Sequence, residues 1–376
     1  MGLNKNVLVE PPGKFIKFEL EARGWSQRDL AFILGQTEQQ LNPLLSGKRA
    51  MTPDMARLLG DAFDVAPQFF ANLQTAYDLA NAKEPDPAVK TRAALQLAYP
   101  VRDMIRRQWI DDTEGSLLQL QVDRFFERVA ENDNEKIVAF AAKRTDLSQT
   151  PPSQLAWVYR VRQLARKINA PRYDQESLRQ ALPSLKALMI NAEAVAEAIP
   201  ILTSCGVRLV LVEVLPGAKI DGVCTWLSDV APVIGLSTLH DRLDNFWFVL
   251  RHEIEHILEG HGKDVVGIVD NLSGDGAAVD ERVSQEERIA NVAAAEFCVP
   301  QDRMNSFFDR KYPYFSERDV IGLAATLGVH PALVVGQLQR RLDRYDYLRK
   351  YQVSVRKHLQ EAVVFDGWGS VVTIPL

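Results

Sequence analysis

The chain has 376 residues, 47% of them hydrophobic, which is sufficient for two or three globular domains. Its 44 basic and 49 acidic residues give a formal net charge of −5, which excludes a global basic field that would draw the whole protein to nucleic acid. Three scattered cysteines exclude a disulfide framework, and the absence of a signal peptide or a long apolar run predicts a cytoplasmic protein with no membrane partner.

Residues 10–83 are predicted to form short helices that are separated by glycine turns. A capped helix, a short turn and a second capped helix are typical of a helix-turn-helix, because the turn sets two short helices against each other. A further helix is expected to open at Thr52-Pro53 and to run to Phe63. The caps and stops of the first three helices are Gly24, Ser26, Gly35, Thr37 and Gly47.

This block resembles the Xre-type helix-turn-helix of HigA-like antitoxins over residues 10 to roughly 80. The resemblance implies a homodimer that binds double-stranded DNA, with the helix after Thr37 in the major groove. The matching residues are Arg23-Gly24-Trp25-Ser26-Gln27, Leu30-Ala31, Leu45-Ser46-Gly47-Lys48-Arg49, Ala66-Pro67-Gln68-Phe69-Phe70 and Asn72-Leu73-Gln74.

The expected reading face of this module is mixed in character. Glutamine and asparagine side chains can read adenine through two hydrogen bonds, whereas Glu38 repels phosphate and Pro43 removes a helix hydrogen bond. Phosphate contacts are expected from Lys48, Arg49 and Arg57, and from Gln27 at the N-terminus of its helix. An alternative is a helix-turn-helix that serves only dimerisation or partner binding. The predicted DNA-binding residues are Gln27, Thr37, Glu38, Gln39, Gln40, Asn42, Lys48 and Arg49.

Residues 84–200 follow a break at Glu84-Pro85-Asp86-Pro87 and are predicted to be mostly helical. They contain no chemical motif and are expected to act as a linker or docking scaffold. One basic run in this region is either a solvated face or a second DNA contact. It consists of Arg160, Arg162, Arg166 and Lys167.

The pattern changes to strands after Gly206. Residues 207–214, 222–227 and 233–237 are rich in β-branched residues, and the second and third of these runs flank a short turn, which predicts a hairpin. The edge of such a hairpin either binds an extended substrate by strand addition or only supports the fold.

The strongest chemical motif is His-Glu-x-x-His at residues 252–256. Histidines four residues apart on a helix face the same way, so both imidazoles can reach one ion, and Glu253 is placed to act as general base of a zinc peptidase. The alternative is a surface helix with two solvated histidines. Apolar residues before and after the motif favour a buried helix and therefore the zinc site.

A tetrahedral zinc site needs a third protein ligand. His261 is a poor candidate, because a continued helix would place it half a turn away from His252. Glu287 is a better one: it begins a second apolar helix, and Asn291, one turn later, is placed to orient a ligating histidine. The alternative for Glu287 is a solvated acid at a helix start.

Together these residues resemble the ImmA/IrrE family of metallopeptidases over residues 200–300. The resemblance implies a gluzincin-like site with Zn²⁺ bound by His252, His256 and Glu287, Glu253 as general base, and cleavage of a specific protein partner. Glu255 departs from the family, which usually has glycine there. The matching residues are Ile220-Asp221-Gly222, Pro232-Val233-Ile234-Gly235-Leu236-Ser237, Trp247-Phe248, His252-Glu253, His256, Glu287, Ala290-Asn291, Ala294 and Val299-Pro300.

The sequence therefore predicts a mainly α protein with a small β-sheet (α+β). A helix-turn-helix domain (1–83) is followed by a helical linker (84–200), a gluzincin-like zinc peptidase domain (201–315), whose loop between Gly262 and Ser284 is a candidate lid, and a helical extension ending in a strand (316–376). The predicted function is a DNA-binding regulator or antitoxin whose zinc endopeptidase domain cleaves or controls one protein partner in a toxin–antitoxin, phage or stress system. The alternative is a non-proteolytic HigA-like antitoxin and repressor, in which the metal domain is structural or binds a cognate toxin.

Overall fold

The computed structural model describes residues 9–127, 151–263, 268–270 and 285–373. They form two units, one ending at Asp86 and the other beginning at Pro87, within the segment that predicts a break. Most of the candidate lid between Gly262 and Ser284 lies outside the described residues. Among the described helices, none combines the length and apolarity that crossing a membrane requires.

The described part of the N-terminal unit is a bundle of five helices, of which the sequence predicts the first four. Ser26 and Thr37 both form capping boxes, in which the hydroxyl of the cap accepts a backbone N–H three residues on and the side chain at that position bonds back. The side chains of Ile16, Leu30 and Leu59 are fully buried in its core. The helices are α1 (Pro12–Arg23), α2 (Gln27–Ile33), α3 (Glu38–Leu45), α4 (Pro53–Phe63) and α5 (Pro67–Asn81).

The second unit combines helices with one mixed β-sheet. Its first helices are α6 (Pro87–Ala98), α7 (Val101–Arg106), α8 (Gly115–Phe125), α9 (Pro152–Ala165), α10 (Gln175–Ala187) and α11 (Ala198–Ser204). The later ones are α12 (Leu243–Glu259), α13 (Gln285–Cys298), α14 (Gln301–Lys311), α15 (Glu317–Leu327), α16 (Pro331–Leu342) and α17 (Arg356–Leu359). The strands are β1 (Arg208–Val212), β2 (Gly222–Trp226), β3 (Pro232–Leu236), β4 (Ile268–Asp270) and β5 (Val364–Asp366).

The strands lie in the order β4-β2-β3-β1-β5. β2 pairs antiparallel with β3, which confirms the predicted hairpin, while β1 runs parallel to both β3 and β5. The outer edge of β2 is paired with β4 from Gly222 to Cys224, so strand addition by a substrate at that edge is not available in this arrangement. β5 is a strand within the predicted C-terminal extension, and residues 371–373 are irregular.

Alternate residues of the sheet face two different helical layers. In β1, Val210 and Val212 pack against the layer that contains α9, whereas Leu209 and Leu211 pack against the layer that contains α12. Both cores draw residues from across the predicted boundaries at 200 and 315, so the predicted segments of the second unit share their hydrophobic cores.

A buried ion pair joins the first helices of this unit to its last strand. Arg160 of α9 donates through Nε to Asp366 Oδ2 at 2.6 Å, and both side chains are at most 1% exposed. Trp109 Nε1 donates to the same oxygen at 2.9 Å. The prediction that this basic run is a solvated or DNA-binding face is therefore wrong for two of its four residues: Arg160 binds Asp366, and Arg162 donates to Trp226 O at 2.6 Å, whereas Arg166 and Lys167 are exposed.

Candidate metal centre and helix-turn-helix surface

The helix that carries the His-Glu-x-x-His motif, α12, is buried on most of its surface. Apolar residues flank the motif on both sides, so the helix lies between the sheet and α13 rather than against solvent. His252, Glu253 and His256 are all 0% exposed. Burial of three polar side chains on one helix confirms the sequence argument against a solvated surface helix.

The structure brings Glu287 of α13 to both histidines. Its Oε2 lies 3.4 Å from His252 Nε2, and its Oε1 lies 3.4 Å from His256 Nε2. The two Nε2 atoms are themselves 3.0 Å apart. These three residues form the one group of at least three histidine, cysteine or acidic side chains within metal-binding distance that the described residues contain.

These separations fit a single tetrahedral ion. Zinc bonds to imidazole nitrogen and carboxylate oxygen at about 2.0–2.2 Å, and tetrahedral geometry then places neighbouring ligand atoms about 3.3 Å apart. The observed separations of 3.0 and 3.4 Å bracket that value without any movement of the backbone. Two imidazoles and one carboxylate are also the donor set of a site that keeps its fourth position open.

Glu253 lies between α12 and the first residue of β2. A Cβ atom built on Gly222 would collide with Glu253 Oε1 and would lie 3.0 Å from Glu253 Cδ. Only glycine leaves room there, so the strand fixes where this carboxylate can sit. The family-like glycine of the Ile220-Asp221-Gly222 segment therefore has a physical role beside the proposed general base.

His261, which a continued helix would have pointed away, lies against His256 instead. Gly260 adopts the left-handed conformation at φ 74° and ends α12. The backbone N–H of Gly260 then donates to Ile257 O at 3.1 Å and that of His261 to His256 O at 2.8 Å, which is a Schellman motif. The reversal leaves His261 Nδ1 3.0 Å from His256 Nδ1.

Glu255 and Asn291 are two further polar residues on the helices that carry the cluster. Glu255, which departs from the family pattern, forms a 2.7 Å ion pair with Arg251 one turn before it, so it is accommodated without touching the ligand cluster. Asn291 lies one turn after Glu287, and its Oδ1 is buried with no hydrogen-bond partner within the described ranges. The orienting role of Asn291 therefore stays a prediction.

On the helix-turn-helix, every predicted DNA-binding side chain is exposed. These side chains differ in whether they already form hydrogen bonds within the N-terminal unit. Thr37 and Gln40 close the capping box of α3, with Gln40 Oε1 accepting from Thr37 N at 2.9 Å, so neither is fully free to read a base. Glu38 Oε1 accepts from Arg28 Nε at 3.1 Å, which reduces its repulsion of phosphate. Gln27, Gln39, Asn42, Lys48 and Arg49 remain as the exposed polar set.

The N-terminal unit is similar in sequence to known proteins. Residues 16–70 match the helix-turn-helix family. Over 73 residues the chain is 36% identical to the uncharacterized HTH-type transcriptional regulator YddM of Escherichia coli (strain K12), a match that covers 19% of this chain and 78% of YddM. Through its N-terminal module, the chain belongs to the HTH-type transcriptional regulators.

Proposed function

We propose that the second unit of this regulator is a zinc-dependent endopeptidase that acts on a specific protein partner. The observation that carries the proposal is the His252–His256–Glu287 cluster, whose donor atoms lie 3.0–3.4 Å apart beside a fully buried Glu253. A purely structural zinc site needs no acidic residue next to its first histidine. The buried carboxylate therefore favours hydrolysis over the non-proteolytic antitoxin and repressor.

In the proposed mechanism His252, His256 and Glu287 hold the metal. When bound, Zn²⁺ supplies a Lewis acid that polarises the scissile carbonyl and lowers the pKa of water to about 7. The Glu253 carboxylate accepts a proton from the attacking water and donates it to the nitrogen of the leaving amine. Gly222 leaves the space in which that carboxylate sits.

His261 is proposed to fix the tautomer of His256. A histidine that binds metal through Nε2 carries its proton on Nδ1, and His256 Nδ1 faces His261 Nδ1 at 3.0 Å. His261 Nδ1 would accept a hydrogen bond from the Nδ1–H of His256 and so fix the orientation of the His256 imidazole. Its own position is fixed by its backbone, since its carbonyl oxygen accepts from Trp226 Nε1 at 2.8 Å.

Zinc binding provides the direct test of the centre. The purified chain is expected to bind one Zn²⁺, measured by elemental analysis and by competition with a chromophoric chelator. His256→Ala should abolish stoichiometric binding, because it removes one of three protein ligands. His261→Ala should weaken zinc affinity about 10–100-fold, as expected when a ligating histidine has no partner for its other ring nitrogen.

The matched control is His240→Ala, which removes an exposed histidine from outside the cluster. Its zinc affinity should equal that of the wild type. His261→Gln retains an acceptor and should recover part of the affinity, which a merely structural defect would not predict. A wild-type protein that takes up no zinc, or a His256→Ala variant that binds it normally, would refute the proposed metal centre.

The N-terminal unit is proposed to bind double-stranded DNA as a homodimer, with Gln39 and Asn42 at base edges and Lys48 and Arg49 at phosphates. Removing one basic side chain that touches a phosphate should lower the slope of log affinity against log salt concentration by about 1. Lys48→Gln and Arg49→Gln are therefore each expected to weaken binding to a duplex from the gene's own promoter and to flatten its salt dependence, measured by fluorescence anisotropy.

Lys83→Gln provides the control, since it removes an exposed charge that lies beyond the end of α5. It should leave the salt slope unchanged. If Lys48→Gln and Arg49→Gln have the same slope as the wild type, these residues do not contact phosphate.

A further inference from the structure

A cavity of about 580 Å³ lies between α12, α13 and α16, next to the metal cluster but not part of it. Its volume is in the range of pockets that hold small organic ligands. Phe248 forms part of its wall, and the same ring stacks on His252 with centroids 6.5 Å apart. The cavity is therefore one helical turn from the candidate zinc ligands, on the N-terminal side.

The wall of the cavity combines apolar and cationic groups. Phe248, Ala295 and Leu333 contribute apolar surface, whereas Arg242, Arg340 and Arg341 contribute guanidinium groups. Among the described residues that line it, the one carboxylate belongs to Asp244 and is already engaged, because Arg242 donates to both of its oxygens at 3.0 and 2.7 Å. The charges of Arg242 and Asp244 cancel, so Arg340 and Arg341 determine the net positive charge of the cavity wall.

Arg340 and Arg341 have no carboxylate within ion-pair distance among the described residues. Arg340 lies over the Phe248 ring at 5.6 Å, and Arg341 donates only to the amide oxygen of Gln301 at 2.9 Å. Partial desolvation by the surrounding protein lowers the pKa of the otherwise exposed Arg341, and the charge of nearby Asp309 opposes that shift only in part. Both guanidiniums would thus gain a charge-assisted hydrogen bond from an anion in the cavity.

We propose that this cavity binds an organic anion whose negative head meets Arg340 and Arg341 and whose apolar body packs on Phe248 and Leu333. The shared chemistry is a carboxylate on an apolar group. It is supplied either by a free small acid or by an acidic residue within an apolar peptide segment. The proposal needs no metal and does not rest on the proposed peptidase activity.

Isothermal titration calorimetry on the full metal-free chain tests the proposal with two probes. The free-acid probe is 1-naphthylacetate, compared with the neutral 2-(1-naphthyl)ethanol. The peptide probe is acetyl-Leu-Glu-Phe-amide, compared with acetyl-Leu-Gln-Phe-amide. At least one anionic probe should bind at millimolar concentration or below, more tightly than its neutral counterpart, and the probe that binds identifies the source of the carboxylate.

Arg340→Gln and Arg341→Gln are each expected to weaken that binding about tenfold or more, the usual effect of removing a hydrogen bond to a charged partner. Arg344→Gln removes an exposed guanidinium that pairs with Asp346 and does not line the cavity, so it should bind like the wild type. The substituted side chains are exposed, and circular dichroism checks the folding of each variant. The proposal fails if neither anionic probe binds, if the neutral probes bind equally well, or if both arginine variants retain full affinity.

Discussion

Changing Glu253 to glutamine is expected to abolish partner cleavage while zinc stays bound. The amide has nearly the shape of the carboxylate but cannot accept a proton from water at neutral pH. General acid–base catalysis contributes about 10²–10⁴ to a rate, so the cleavage rate should fall by a factor of that size. The measurement compares cells that express wild type or Glu253→Gln and maps new protein N-termini by mass spectrometry, which detects the cleaved partner whatever its sequence.

Glu259→Gln is the matched control, since Glu259 is an exposed acid in the last turn of the same helix. It should produce the wild-type set of cleavage products. Zinc content must be equal in all three proteins for the comparison to concern the general base. Identical N-termini from wild type and Glu253→Gln, both in stressed and in unstressed cells, would favour the non-proteolytic antitoxin.

Asp366→Ala is expected to lower the free energy of unfolding of the second unit by about 3–5 kcal/mol, because it leaves the buried Arg160 guanidinium without its counter-charge. Trp109 would lose its acceptor as well. Urea denaturation followed by circular dichroism should therefore show an earlier transition for this unit. Replacing both members of the ion pair with apolar residues, Arg160→Met with Asp366→Leu, should recover much of the stability.

An exposed ion pair of the same type provides the control. Arg344 and Asp346 lie 3.0 Å apart with side chains 60% and 73% exposed. Asp346→Ala should change the free energy of unfolding by no more than about 1 kcal/mol, since water screens such pairs. Equal effects of Asp366→Ala and Asp346→Ala would show that burial does not determine the strength of the Asp366 contacts.

Local signals in the sequence predict much of the fold correctly. Ser26 and Thr37 are predictable as caps because a capping box depends on residues only three positions apart. The two histidines of the motif are predictable for the same reason, since helical spacing alone aligns them. Glu287 can be proposed only through its helix and its resemblance to a family, because its approach to the histidines depends on how α13 packs on α12.

Contacts between distant residues account for what the sequence does not reveal. From the sequence alone Arg160 is expected to face solvent, because its buried ion-pair partner, Asp366, is 206 residues away. His261 lies outside the group formed by His252, His256 and Glu287, as the sequence predicts, but its contact with His256 is not foreseen because the argument assumes that α12 continues past Glu259. The glycine at position 260 is the available signal: it ends the helix and returns the next residue toward His256. The cavity beside α12 has no sequence signature, since its walls come from separate helices.

The pairing of β5 with β1 has a consequence for the order of events on the ribosome. The N-terminal unit is complete once residue 86 has been made, whereas the sheet beneath the candidate metal centre lacks its outer parallel strand until Asp366 has been added. At roughly 5–20 residues per second, those 280 residues (366 minus 86) take about a quarter of a minute to a minute. Each nascent chain should therefore fold its helix-turn-helix well before its second unit can close.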